Sequence, residues 1–555
     1  MKIFAVIEAD FEVTPLGTRS RLGEPLPGRG ADGPDGTVLR RTIRRLQRCG
    51  RLSGICVAVP APQKTRAEQA VAGLDVRVEG HEAPRPFWLV PTLTGGRVAA
   101  ARKWSLDAWR GGVAGFAAVD EGTNTILLEA LARRDAWDAV VPVPAAAVLI
   151  DPVVLDAMIE HFERIHEEMR LTFAPTPPGL AAPIFTRSLV ADMCTAAWPP
   201  GRPFAYRPDD PQRELLTRDC CFHAGPEVEQ AVGRLIADTD RAATRLARIL
   251  DAMEDGDARQ IAAWLHEHDR WDIGPRPREV EIELTTDDPL PRTTLRPRGD
   301  VVGRRGPIAM ELLDRLFAEL AQTDDSLIVL GGFGEPLRHP EFAAILRRAR
   351  KAGVFGIAVR TAGIDLDAAT IDALLDARAD VVSVLLDAHS AEVYRQVHGF
   401  DGYDRAVANI EAVLRAEAER KQPFPLIVPE MLKTRSVIRE MEAFYDDWIR
   451  RTGAAVIAGP AAYGGPFAHL AVMNMAPPRR FPCERLWSRL MVLADGRVTV
   501  CDQDFRGEHA IGRVQDTSLA ALWAGPALEA LRAGHRGDDY AGMPLCPGCR
   551  EWHRP

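Results

Sequence analysis

Leu327-Ile328-Val329-Leu330-Gly331-Gly332-Phe333-Gly334-Glu335-Pro336-Leu337 reads as a short buried strand that runs into a glycine-rich turn. The glycines let backbone approach a ligand, and Glu335 is poised at the strand's carboxyl end. The run stands second in a series. Candidate strands at 279–285, 327–330, 357–361, 381–386, 426–429 and 455–458 alternate with amphipathic helical patterns such as 309–321 and 342–352. Six consecutive βα units with right-handed crossovers predict a parallel sheet over 278–460, either a partial barrel or a doubly wound sheet. Its functional face is the carboxyl ends of the strands.

The flanking regions differ in character. Residues 1–225 alternate apolar runs at 3–7, 54–59 and 139–143 with helical patterns at 38–49 and 152–164, which predicts an α/β sandwich. Between 226 and 277, Val228, Val232, Leu235, Ile236, Leu246 and Leu250 recur at helical spacing, as a helical connector or as the last helix pair of the first domain. Residues 461–555 are loop-rich and carry Cys483, Cys501, Cys546 and Cys549. The net charge of −9, from 69 basic and 78 acidic residues, argues against a dedicated nucleic-acid binder. No run reaches the ~20 apolar residues of a membrane span, and Glu8 and Asp10 come too early for a signal peptide. The expectation is a cytoplasmic chain, in which disulfides are uncommon and the cysteines need another explanation.

Cys483 and Cys501 flank two apolar runs joined by Asp495-Gly496, a strong hairpin signal that returns Cys501 toward Cys483. Cys546-Pro547-Gly548-Cys549 forms a knuckle able to offer two more thiolates. Four thiolates suit zinc or an iron–sulfur cluster.

The order of motifs in the middle of the chain resembles the radical S-adenosylmethionine (SAM) enzymes. Gly331-Gly332-Phe333-Gly334-Glu335-Pro336 is followed by Leu386-Asp387-Ala388-His389-Ser390, then Tyr394 and Val397, then a helix through Val407 and Asn409. The resemblance implies a six-unit (β/α) partial TIM barrel, with Gly331, Gly332, Gly334 and Glu335 facing a SAM-like ligand. It also implies Cys-x3-Cys-x2-Cys after the first strand, where three thiolates hold a [4Fe-4S] cluster. This chain has Asp288, Arg292 and Leu295 at that spacing, followed by Arg296, Arg298, Arg304 and Arg305. None of the three ligates iron as a thiolate does. The third strand also ends in Thr361-Ala362-Gly363 where Asn-Gly is usual in the family.

Two further resemblances frame this segment. Leu16-Gly17-Thr18-Arg19-Ser20-Arg21-Leu22-Gly23-Glu24-Pro25-Leu26 is similar to the nucleotide loop of sugar-nucleotide transferases, which implies a nucleotidyltransferase (GT-A)-like domain with Arg19 and Arg21 facing a nucleotide. It departs from them at Glu24, which stands at the phosphate lysine position, and at Ala146, near which a metal-binding Asp is expected; Asp120-Glu121 is an acidic turn. Cys483, Gly496-x4-Cys501 and Cys546-x2-Cys549 resemble the SPASM or "twitch" extension of radical SAM enzymes, which implies one [4Fe-4S] cluster, with zinc as the alternative.

The sequence therefore predicts four segments: a nucleotidyltransferase-like sandwich (1–225), a helical connector (226–277), a radical-SAM-like partial barrel without its cluster cysteines (278–460) and a SPASM-like domain (461–555). The function expected is that of an iron–sulfur pseudoenzyme that binds a small-molecule, peptide or protein partner or relays electrons, with no catalytic residue assigned. The alternatives are nucleotide or sugar transfer by the first domain and a structural zinc protein. The missing cysteines speak against reductive cleavage of SAM, while its binding without turnover through Gly331, Gly332 and Glu335 stays open. The sheet over 278–460 is expected to fold independently of the cysteine site.

Overall fold

The computed structural model describes residues 1–554 apart from 31–35, 83–99, 112–115, 118–123, 197, 199, 212, 269–273 and 292–294. The chain forms two compact units, Met1–Arg270 and Trp271–Pro555. The architecture is mixed α/β, with a largely parallel sheet in each unit. Among the described residues, no helix is long and apolar enough to cross a membrane.

The first unit contains β1 (Ile3–Glu8), β2 (Gly54–Pro60), β3 (Arg77–His81), the short pair β4 (Arg110–Gly111) and β5 (Phe116–Ala117), β6 (Ala139–Pro142), β7 (Leu171–Thr172) and β8 (Ile184–Thr186). Six of these make one sheet in the order β3-β2-β1-β6-β8-β7, parallel at its centre. Period-two alternation divides its side chains between two cores. Ile3, Ala5, Ile7, Ile55, Val57, Val59 and Val141 bury against one helical layer, and Val6, Cys56, Ala58 and Val140 against the other. Both faces are covered, as near-continuous apolar strands require. The segment 226–277 adds Val228, Leu235, Ile236, Leu246 and Leu250 to the first core, Leu246 and Leu250 from the helix Asp240–Ala252, Val228 from the short helix Pro226–Glu229, and Leu235 and Ile236 from non-helical chain. Val232, at the same helical spacing, is exposed.

In the second unit the strands are β9 (Glu279–Glu283), β10 (Leu327–Gly331), β11 (Gly356–Thr361), β12 (Val381–Leu385), β13 (Leu426–Leu432), β14 (Val456–Ala458), β15 (Arg489–Val492), β16 (Arg497–Thr499) and β17 (Gly512–Arg513). The sheet order is β14-β13-β12-β11-β10-β9-β15-β16-β17, and β9 to β14 are all parallel. Strictly sequential order with crossovers of one hand puts every crossover helix on one face, so the sheet is singly wound and not doubly wound. Val280, Ile282, Ile328, Leu330, Ile357, Val359, Val382, Val384 and Ile427 pack with those helices. The alternate positions Glu281, Glu283, Arg360, Ser383 and Glu430 bring charged and polar groups to the other face.

The Asp495-Gly496 hairpin forms as the sequence predicts: β15 and β16 are antiparallel, and Gly496 adopts φ +83° at the turn. β15 also pairs parallel with β9, which places the C-terminal segment on the sheet itself. Leu486, Trp487, Leu490, Val492, Val498, Leu519, Leu522, Trp523 and Leu528 share one core with the six-strand sheet. A sheet that folds independently of this segment is therefore not what the structure contains, because their apolar surfaces bury one another.

Candidate functional site

The carboxyl ends of β9 to β13 are held by buried ion pairs. Glu283, the last residue of β9, is fully buried, and its carboxylate accepts from Arg305 Nε at 2.7 Å and Nη2 at 2.9 Å. The same carboxylate accepts from Phe333 N in the glycine turn (3.4 Å) and Ala494 N in the hairpin (3.1 Å). Arg305 donates onward to the carbonyls of Val302 and Phe505. Asp387, fully buried after β12 with φ +55°, pairs with Arg296 and accepts from Leu432 N at 2.9 Å. Arg296 and its hydrogen bond outweigh burial and hold the Asp387 carboxyl below its usual range. His398 lies 3.6 Å from Asp387 and is pushed down to about 4, chiefly by burial.

The residues at the cluster-cysteine spacing sit in this network. Asp288 pairs with Arg298, Leu295 is buried in the hydrophobic core, and Arg292 lies outside the described residues. Among the arginines of the predicted basic patch, Arg296, Arg298 and Arg305 are each matched by a carboxylate, while Arg304 is exposed. Three of the four charges of the patch are thus neutralised internally. The glycines of the turn are spent on close packing. A Cβ on Gly332 (φ +89°) would meet Glu283 Cβ at 2.7 Å, one on Gly334 would meet Thr285 O at 2.3 Å, and one on Gly331 would press on Arg360 Cβ at 3.2 Å. Glu335 is buried, and its two oxygens accept from Ala362 N (2.8 Å) and Leu337 N (3.3 Å). Burial raises its pKa against these bonds.

The four C-terminal cysteines are brought toward one neighbourhood by different elements. Cys483 precedes the short helix Arg485–Ser488, and its N–H donates to His535 Nδ1 (3.1 Å) on the helix Pro526–Arg536. Cys501 follows β16. In the knuckle, Cys549 N donates to Cys546 O at 3.2 Å, and Glu551 N donates to Cys549 Sγ at 3.3 Å. Cys483 acts electrostatically on each of the other three thiols. Burial is the largest influence on all four and pushes each thiol up, Cys546 to about 11. A bound metal centre would reverse that shift by taking the thiolates as ligands. Among the described residues, no three His, Cys, Asp or Glu side chains already stand grouped as an ion would require.

In the first unit, Arg19 pairs with Glu24 inside its own loop, and buried Arg21 pairs with Asp240. Both predicted nucleotide contacts therefore have protein partners, and Glu24 is the counter-ion of Arg19. Ala146 is buried in the core, and Asp120-Glu121 lies outside the described residues. The Glu283–Arg305 and Asp387–Arg296 pairs were not foreseen. The one signal for the first was the alternation of Glu279, Glu281 and Glu283 with apolar residues along β9.

Residues 297–429 match the radical SAM superfamily model, and residues 483–550 match that of the SPASM iron–sulfur cluster-binding domain. The second unit carries a radical SAM domain and a SPASM domain. An uncharacterized protein of Treponema pallidum (strain Nichols) is 25% identical over 242 residues, which cover 42% of this chain and 66% of that protein, just under two thirds of its length. The crystal structure of BtrN in complex with AdoMet and 2-DOIA is 15% identical, with a TM-score of 0.33, covering 49% of this chain and 92% of that one. Streptococcus suis SuiB bound to precursor peptide SuiA is 12% identical, with a TM-score of 0.36 and coverage of 53% and 80%. A cytidylyltransferase from Leptospira borgpetersenii serovar Hardjo-bovis is 15% identical, with a TM-score of 0.32 and coverage of 48% and 95%.

The chemistry of the donor sets separates the two cluster sites of the radical SAM and SPASM domains. The chain has no cysteine between 222 and 482, so the loop after β9 supplies no thiolate for a SAM-cleaving cluster. The residues there do not fit that group. The SPASM segment offers four thiols, with Cys483 in electrostatic range of the other three, and four thiolates are a donor set that suits an iron–sulfur centre.

Proposed function

We propose that this chain is an iron–sulfur protein of the SPASM type, with Cys483, Cys501, Cys546 and Cys549 holding one [4Fe-4S] cluster, and that its radical SAM domain does not cleave SAM. The observation that carries the reading is the contrast between the two places. The C-terminal segment carries four cysteines, while Asp288, Arg298 and Leu295 fill the turn after β9 with an ion pair and a core side chain. A cluster held by four thiolates supplies one-electron transfer and leaves no iron open to a substrate. The protein's own groups hold the ligand loops: Cys483 N is fixed by His535, and the Cys546–Cys549 knuckle by its internal N–H···O bond. The polar face of the sheet, with Glu281 and Arg360 paired at 3.2 Å, is where a small molecule, peptide or protein partner would be met.

Anaerobic purification with iron, acid-labile sulfide and zinc analysis tests the reading, together with dithionite assays for 5′-deoxyadenosine. Four irons and four sulfides per chain, with no deoxyadenosine above a heat-killed control, is the expected result. One zinc without sulfide overturns the cluster, and deoxyadenosine formation overturns the second half of the proposal.

A further inference from the structure

Two residues beyond Cys483 lies a buried cation that the four-thiol site does not need as a ligand. Arg485 is 7% exposed, and its Nη1 donates to Asp502 Oδ1 at 2.6 Å. Asp502 directly follows Cys501, so this one ion pair ties the segment carrying Cys483 to the segment carrying Cys501. The Arg485 Nε–H is buried with no hydrogen-bond partner, an uncommon state for a guanidinium, whose donors are usually all used. The Arg485 charge acts on the thiols of Cys483, Cys501 and Cys549. A buried cation with a spare donor, two residues from Cys483 and tethered to the carboxylate beside Cys501, is an arrangement suited to an anionic centre.

We infer that Arg485 is a positioning residue that sets the reduction potential of the centre held by the four cysteines, with Asp502 as its opposing charge. This rests on the cluster reading above. Reduction brings one electron from an external one-electron donor and adds one negative charge to the cluster. A fixed cation nearby favours the reduced form, and a fixed anion disfavours it. Hydrogen bonds and charges outside the ligands are known levers on such potentials. Breaking the Arg485–Asp502 pair from either end loosens the same tether but changes the local charge in opposite senses. That opposition separates an electrostatic role from a merely structural one.

The experiment is a mediated redox titration of the anaerobically purified full chain, followed by electron paramagnetic resonance, for wild type, Arg485→Gln, Arg485→Lys and Asp502→Asn. Arg485→Gln is expected to lower the reduced-to-oxidised ratio at a fixed potential about tenfold, a midpoint shift of about 59 mV for one electron. Asp502→Asn is expected to raise it by a similar factor, and Arg485→Lys to stay near wild type. Shifts of the same sign in Arg485→Gln and Asp502→Asn, or no shift, overturn the role of Arg485 while leaving the cluster in place. If Arg485→Gln takes up no cluster, the sign of the Asp502→Asn shift alone decides. Wild-type protein with zinc and no sulfide overturns the underlying cluster reading as well, and metal analysis distinguishes that failure from the other.

Discussion

Glu283 and Arg305 meet through two parallel hydrogen bonds, 2.7 and 2.9 Å, in a fully buried position where four segments converge. The carboxylate also serves backbone N–H groups of the glycine turn and the C-terminal hairpin, so the pair joins the first strand, the second turn and the hairpin. Removing one partner of a buried pair strands the other charge. Arg305→Met is therefore expected to destabilise the second unit by about 3–5 kcal/mol, measured by urea unfolding of the full chain. A loss below about 1 kcal/mol would show that water reaches Glu283.

The glycine turn gives a second expectation. A Cβ on Gly334 would lie 2.3 Å from Thr285 O and 2.7 Å from Thr286 Cα, both backbone atoms that cannot swing aside. Gly334→Ala should cost about 3 kcal/mol of stability. Gly542→Ala, where a Cβ meets nothing within 4 Å, is the control and should be near neutral. Equal melting temperatures for the two variants would remove the packing role assigned to the turn.

His398 provides a pH signature. Its folded value is about 4, below the ordinary 6.5, because burial opposes the charged form. Above pH 6.5 the imidazole is neutral in both states and contributes nothing to the pH dependence. Between about 6.5 and 4 the unfolded chain binds a proton that the folded chain refuses, so stability falls as pH falls, by about 3 kcal/mol at full effect. His398→Gln should flatten that part of the stability profile. An unchanged slope would mean that His398 titrates normally in the fold.

Loss of one thiolate should be felt widely. Cys549→Ser is expected to abolish the visible absorbance and to lower the stability of the whole second unit, because Leu490, Val492 and Trp523 share the core of the six-strand sheet. Limited proteolysis compares the two regions. Cleavage confined to residues beyond 500, with the sheet fully protected, would contradict the shared core.

Much of the second unit was legible because each parallel strand is a short segment with apolar residues at least at alternate positions and its own turn, so the six strands at 279–285 through 455–458 could be read locally. Sheet order, which selects the singly wound form, depends on pairings such as β9 with β15 that no local pattern encodes. The cysteines were legible through their chemistry. The ion pairs were not, because Arg296–Asp387 and Arg305–Glu283 join residues far apart in the chain and nothing marks an arginine in a loop as buried. What the sequence does not tell is that Gly334 lies against the backbone of Thr285 and Thr286, a contact made by chain segments far apart in sequence.

The pairing of β15 with β9 also has a meaning in time. Arg489 lies opposite Glu279, about 210 residues later in the chain. At the ~5–20 residues per second of synthesis, the outer edge of β9 waits roughly 10–40 seconds for its partner. During that interval the ribosome holds a nascent sheet with one unpaired border, the kind of edge that recruits other strands. The cysteine-bearing segment thus closes this border only after the six parallel strands have emerged, and a chain released before residue 489 would leave with it still open.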